Sequence, residues 1–195
     1  IPWEAAEEIS QSCKLENLDL EEMERIKVKV GHGFVPFLKV LVKACPKEAG
    51  KYVHYGVTTQ NIQQTSQLYQ MKKVHDIFLK TCGEILENLS VLAERHKDTV
   101  MPGRTHGKHA IPITYGYKVS VWISELLNAV ERLQECEKRV FQVMMGGAVG
   151  SFNAMGEVGI HVQERVAKAL GMYAMPVHFR RISSNKEEYM MDIDV

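Results

Sequence analysis

Neither sign of charge is in excess in this chain of 195 residues: lysine plus arginine number 24, and so do aspartate plus glutamate. Without a global field, neither nucleic acid nor a membrane surface is a favoured partner. Apolar residues never run for the roughly 20 positions a membrane-spanning helix needs, and no signal-peptide pattern opens the chain. Cysteine is sparse. Cys13, Cys45, Cys82 and Cys136 stand far apart with no C-x-x-C pair, which fits reduced thiols in a cytoplasmic protein. Phosphate-cradling loops are missing too: Gly146-Gly-Ala-Val-Gly-Ser151 lacks the G-x-G-x-x-G spacing, a P-loop lysine and a preceding strand. There are no internal repeats and no low-complexity segments, and no stretch reads as a strand.

What is present is helical periodicity. Residues 3–12 and 20–29 are Glu-rich and short, and 33–45 carries an apolar helix start with Pro36 in its first turn, where a missing N–H does no harm. Pro46 to Gly50 is a break. A proline-free run over 60–96 then places Ile62, Thr65, Tyr69, Ile77, Ile85, Leu89 and Leu92 near helical spacing. A second run over 112–145 does the same with Val119, Trp122, Leu126, Val130, Leu133 and Val140. At 1.5 Å per residue each is a rod of about 50 Å, a length that belongs to bundles. A helix over 157–170 is closed by Gly171, and a Pro176-Val-His-Phe-Arg connector leads to a last helix from Ser183 or Ser184. The reading is all-α, with 1–50 an N-terminal helical segment and 51–195 a central long-helix bundle. The chain opens at Ile1 without methionine and stops at Val195 inside a helical pattern, so a part of a longer subunit is expected.

Two clusters carry chemistry. In Tyr52-Val-His-Tyr-Gly-Val-Thr-Thr-Gln-Asn61, Gly56 permits a tight turn and Thr58 or Thr59 caps the long helix that follows. Free N–H groups and the helix macrodipole attract carboxylates there, and two hydroxyls with Gln60 make a dicarboxylate clamp. The plain alternative is an ordinary N-cap with His54 packed as an aromatic. In Met101-Pro-Gly-Arg-Thr-His-Gly-Lys-His-Ala-Ile-Pro-Ile-Thr-Tyr-Gly116, a Gly/Pro-punctuated turn between the rods holds Thr105, His106, Lys108 and His109. Histidine is the side chain best suited to proton transfer near neutral pH. The His106-x-x-His109 spacing lacks a third ligand nearby, so no metal is expected, and solvent is the expected fate of Lys108. His32, His75, His96, His161 and His178 read as surface or packing residues, and the Met144-Met145 and Met190-Met191 pairs as core.

Three blocks in order resemble the fumarase/aspartase superfamily in its adenylosuccinate-lyase-like form: Val53-His-Tyr-Gly-Val-Thr-Thr-Gln-Asn61, Gly103-Arg-Thr-His-Gly-Lys-His-Ala-Ile-Pro-Ile-Thr-Tyr-Gly116 and Gly147-Ala-Val-Gly-Ser151. The resemblance implies an all-helical subunit whose long helices join a homotetrameric core with active sites shared between subunits. It also implies β-elimination of fumarate from a succinyl adduct without a cofactor. His106 matches the general acid and His54 a second active-site histidine that supports it. Thr58, Thr59 and Thr105 match carboxylate contacts, with Gln60 beside them. His32 aligns loosely with another family histidine but is given no role, because Gly33-Phe34 replaces the expected Asp-Val. The family's base is a serine on a Ser-Ser-x-Met-Pro loop. No such motif occurs here, so residues 1–195 alone are expected to be inactive. Gln60 and the Pro176 connector are similar to 3-carboxy-cis,cis-muconate cycloisomerases, the alternative within the family. A non-catalytic helical scaffold is the alternative outside catalysis.

Overall fold

The computed structural model describes residues 1–177 and 183–193, without the side chains of 183–186 and 192. Its helices are α1 (Trp3–Ser12), α2 (Leu20–Val30), α3 (Val35–Ala44), α4 (Lys47–Gly50), α5 (Thr59–Arg95), α6 (Tyr115–Val140), α7 (Val158–Leu170) and α8 (Ser183–Ile193). Four strands are β1 (Val100–Thr105), β2 (Lys108–Thr114), β3 (Gln142–Val143) and β4 (Tyr173–Ala174). Packing divides the chain into two units that interleave along the sequence, Ile1–Ile62 with Met145–Val162, and Gln63–Met144 with Gln163–Val195.

In the first unit α2 packs on α3, and α4 packs on both α1 and α3. The Asp19 side chain accepts from Glu22 N–H at 2.9 Å to start α2, and left-handed Gly31 ends it. Phe34, Val40, Leu41, Cys45 and Ala49 are buried there.

The second unit is built on two long helices that each bury a residue at seven-residue steps. On α5 these are Leu68, His75 and Cys82, and on α6 Val119, Leu133 and Val140, with Leu126 half-buried between. That period keeps one stripe of a helix turned toward a partner helix. Gly116 N–H on α6 donates to the His96 carbonyl just past the end of α5, at 2.9 Å, while His75 meets Glu137 at 3.0 Å, so the helices run antiparallel. A Cβ on Gly116 would lie 2.5 Å from the Ala93 carbonyl oxygen and 2.8 Å from the Lys97 backbone. Only glycine lets α6 begin this close to the end of α5. The contact also pairs groups that helix ends leave open, because Tyr115 N–H donates to the Thr99 carbonyl at 2.8 Å.

A strandless chain is not what the structure has. Residues 100–105 and 108–114, expected as a loop and the start of a helix, form the antiparallel hairpin β1–β2. Pro102, Gly103 and Pro112 conceal its alternation, and Pro102 pairs with Pro112 across the ribbon, where neither strand has a further neighbour to supply. The hairpin shortens α6 to 26 residues, about 39 Å, against 37 residues and about 55 Å for α5. The other pairing, β3 with β4, is parallel and two residues long. With eight helices and two such small sheets among the described residues, the fold class is all-α.

Met144 and Met145 are buried as expected, but Met190 and Met191 are exposed on α8, where Tyr189 is buried. His178 and the Phe179-Arg180 part of the connector lie outside the described residues. Among the described residues no helix is long and apolar enough to cross a membrane.

Candidate active site

Three of the described residues other than glycine have a left-handed backbone, and two of them are His54 and His106. Such a conformation costs a residue with a Cβ free energy that surrounding structure must supply, and it collects at functional sites.

His54, at φ 65, begins a turn completed by Gly56 at φ 76. Its ring lies 5.7 Å from that of Phe34, and its Nε2 is buried without a hydrogen-bond partner. Burial pushes the His54 pKa down, because the charged imidazolium loses more solvation than the neutral ring. Met155 presses on the far side of the turn: a Cβ on Gly56 would sit 2.5 Å from its Cγ. The chain then enters α5 through Thr58, Thr59 and Gln60, all half-buried. The α5 start is fixed by Asn61. Its Oδ1 accepts from Thr58 N–H at 3.0 Å, the reaching-back half of a capping box, and from Gly147 N–H at 3.0 Å. Thus the His54 turn, the helix start and the 146–151 loop meet in one unit.

Thr105 and His106 belong to the other unit, at the tip of β1–β2. Thr105 pairs with Lys108, leaving His106 at φ 49 and Gly107 at φ 76 as a two-residue loop. Two consecutive positive φ values between paired strands are the signature of a type I′ turn, whose twist suits a hairpin. Asparagine or glycine is the usual choice for the first position, and here a histidine occupies it, exposed. Inside the ribbon Gly103 is buried where a Cβ would lie 2.6 Å from the Ile111 carbonyl oxygen, and the register shifts between Pro102 and Arg104. Thr114 Oγ1 then accepts from Tyr117 N–H at 3.2 Å and starts α6. The hairpin thus hangs from a capped helix start.

Lys108 and His109 are exposed on β2, as solvated residues would be. Among the described residues no three His, Cys, Asp or Glu side chains are grouped to hold a metal ion. His75 is a packing residue, 1% exposed, between Tyr189 and Glu137. Sequence reasoning passed over two residues that shape the first unit. His32 Nδ1 accepts from Phe34 and Val35 N–H at 3.1 and 3.2 Å and so caps α3, a role that the lone-histidine reading does not reveal. Asn61 was legible in principle, since Thr58-x-x-Asn61 follows capping-box spacing with asparagine in the place of glutamate or glutamine.

Comparison with known proteins adds the following. A family model described as lyase matches residues 3–190. Adenylosuccinate lyase of Methanocaldococcus jannaschii is 40% identical over 172 residues, which is 88% of this chain and 37% of that protein. N-acetyl-S-(2-succino)cysteine lyase of Dickeya dadantii is 32% identical over 189 residues, 97% of this chain and 41% of its own length. The crystal structure of 3-carboxy-cis,cis-muconate lactonizing enzyme from Pseudomonas putida superposes with a TM-score of 0.91 at 28% identity, covering 99% of this chain and 44% of that one. The chain therefore spans about two fifths of the length of the curated relatives it matches.

Proposed function

From the premise that this chain belongs to the fumarate lyase family of the fumarase/aspartase superfamily, we propose that the protein carrying it is a lyase that β-eliminates fumarate from a succinyl adduct, adenylosuccinate being the leading substrate. The observation that carries the proposal is the pair of left-handed histidines, His54 and His106, each held by a turn that only a neighbouring glycine completes. Left-handed backbones at residues other than glycine collect at functional sites, and here two of the three are histidines.

Each residue has a part in the chemistry. β-Elimination requires removal of a proton from the carbon next to a carboxylate, so negative charge gathers on that carboxylate in the transition state. Donors already in place stabilise such charge more than water does, because they need no reorganisation. Thr58 and Thr59 hydroxyls and the Gln60 amide serve as those donors, and the family resemblance adds the Thr105 hydroxyl. His106 protonates the departing nitrogen, as an exposed imidazole on a rigid turn suits. The family resemblance gives His54 the role of supporting that acid; burial favours its neutral form, in which one ring nitrogen accepts and the other donates. Residues 1–195 hold no match to the serine loop that the resemblance assigns as base, so the assignment covers the acid and the carboxylate donors.

Assembly is part of the proposal. The His54 and His106 halves lie in different packing units, and the family resemblance implies sites shared between subunits of a homotetramer.

A second reading within the family is favoured by the superposition on the lactonizing enzyme, with a cyclising 3-carboxymuconate in place of the succinyl adduct. The two differ beyond the carboxylate-bearing half. The test is a panel on the complete protein, with adenylosuccinate, N-acetyl-S-(2-succino)cysteine and 3-carboxy-cis,cis-muconate followed by absorbance. Fumarate release from adenylosuccinate is the expected outcome. Lactone formation with no fumarate from either adduct moves the protein to the cycloisomerase reading.

A further inference from the structure

We infer that Asn61 is the positioning residue of the carboxylate clamp, a side chain that locks the 146–151 loop to the Thr58–Gln60 helix start. This rests on the proposed clamp and adds what keeps it in shape. One oxygen takes two backbone N–H groups, that of Thr58 three residues before it and that of Gly147 86 residues after it, both at 3.0 Å. The atom that accepts from both must be the oxygen, since an amide nitrogen has nothing to offer an N–H donor. Asn61 is fully buried, so no water competes for that oxygen. Its Nδ2 has no partner, so the residue is retained at the expense of an orphaned donor. Packing alone would favour a residue without one.

The consequences follow from what each N–H would do if released. Thr58 is the residue at the helix start, and its hydroxyl direction follows its backbone. Gly147 holds φ at +79, where its α-carbon faces the Gly56 carbonyl: a Cβ there would meet that oxygen at 3.5 Å. Loss of the Asn61 oxygen frees both at once. Hydroxyls 1 Å out of place cost a positioned site about a hundredfold. The other buried polar residues in the next turn, Gln64 and Thr65, make no bond that could substitute, since Gln64 Oε1, Gln64 Nε2 and Thr65 Oγ1 are themselves unpartnered.

The experiment uses the complete protein with Asn61→Ala, Asn61→Ser and Asn61→Asp. Amide hydrogen exchange at Thr58 and Gly147 is read alongside fumarate affinity by calorimetry and the ratio of KM to kcat. Aspartate keeps an acceptor oxygen in the same place, whereas alanine has none and serine is too short to reach both donors. Asn61→Ala and Asn61→Ser are expected to lose protection at both amides together and to weaken fumarate at least tenfold. Asn61→Asp is expected to restore protection at both amides because it keeps the acceptor oxygen, and its added negative charge beside the clamp leaves protection, not affinity, as the readout for this variant. If alanine does not fold, serine against aspartate carries the comparison, with thermal unfolding as the check. Protection surviving at either amide in the serine variant, or affinity unchanged while protection is lost, overturns the inference. A parent protein that does not bind fumarate sinks the clamp reading instead, and the exchange at Thr58 and Gly147 still decides the lock.

Discussion

His54 lies in the turn before α5 and Asn61 in the first turn of that helix, and each is constrained in a way that solution can read. The His54 imidazole is depressed below the ordinary value of 6.5 by burial beside Phe34. Its neutral form is therefore favoured in the fold, and the unfolded chain takes up the proton first. The sign follows: this contribution to stability is intact above pH 6.5 and is lost as pH falls below it toward the lowered value. An NMR titration of the His54 ring is expected to give a midpoint below 6.5, and a midpoint at or above that value contradicts the burial described here. At this scale the sequence is informative about identity and silent about geometry. The spacing of His54, Gly56, Thr58 and His106 could be read directly, but the left-handed backbone of the two histidines could not, because glycine is the default residue for such conformations and most histidines do not adopt them.

Among the elements, α5 shows where pattern reading stops. Its length and limits follow closely from the proline-free run, with the helix spanning Thr59–Arg95 against an expected 60–96. Its buried stripe does not follow from the apolar residues. Ile77 and Ile85 are exposed, while Asn61, Gln64, Thr65 and His75 are buried. In that seam Asn61 and His75 have partners in distant segments, Gly147, Tyr189 and Glu137, which periodicity does not contain, while the buried Gln64 amide and Thr65 hydroxyl have none. The hairpin was hidden for a related reason: its register depends on the His106-Gly107 turn and the Gly103 contact, not on alternation along either strand.

The same seam gives a prediction for α8. Tyr189 O–H can donate to His75 Nδ1 at 3.2 Å while His75 Nε2–H donates to Glu137 at 3.0 Å, an arrangement that satisfies the three groups and ties α8 to both long helices. Burial first, then Cys136 and Asp76, push the Tyr189 phenol up to about 12 from 10.0. A raised acid stays neutral in the fold while the unfolded chain ionises, so this stability is present below pH 10.0 and is lost as pH rises toward about 12. Tyrosinate absorbance should show one late-titrating phenol that disappears in Tyr189→Phe. That variant leaves His75 Nδ1 without its donor, at a cost of about 1–3 kcal/mol in denaturant unfolding. An unchanged titration in the variant contradicts the assignment.

For the whole molecule, the long helices leave apolar side chains open that a solitary chain has no reason to expose. Val74 and Ile77 on α5 are 60% and 66% exposed, and Tyr117 and Leu127 on α6 are 62% and 49%. Large open apolar areas mark association surfaces. The complete protein is expected to run as a tetramer by light scattering, and Ile77→Lys is expected to lower the mass by placing a charge in the helical core. A monomeric parent, or a tetramer indifferent to the lysine, contradicts this. All-α architecture was legible in the sequence because helix periodicity is local. Which face of each long helix stays open was not, because the exposure of Val74, Ile77, Tyr117 and Leu127 is set by packing that periodicity alone does not contain.

The most direct measurement of the central claim is turnover of the complete protein with His106→Asn. Asparagine adopts the left-handed first position of a type I′ turn readily, so the hairpin and the unfolding temperature should be preserved while the acid is removed. Fumarate release from adenylosuccinate is expected to fall by about 10²–10⁴-fold in kcat, the span that general acid catalysis supplies. A variant that folds like its parent and releases fumarate at the parent's rate contradicts the claim that His106 delivers the proton.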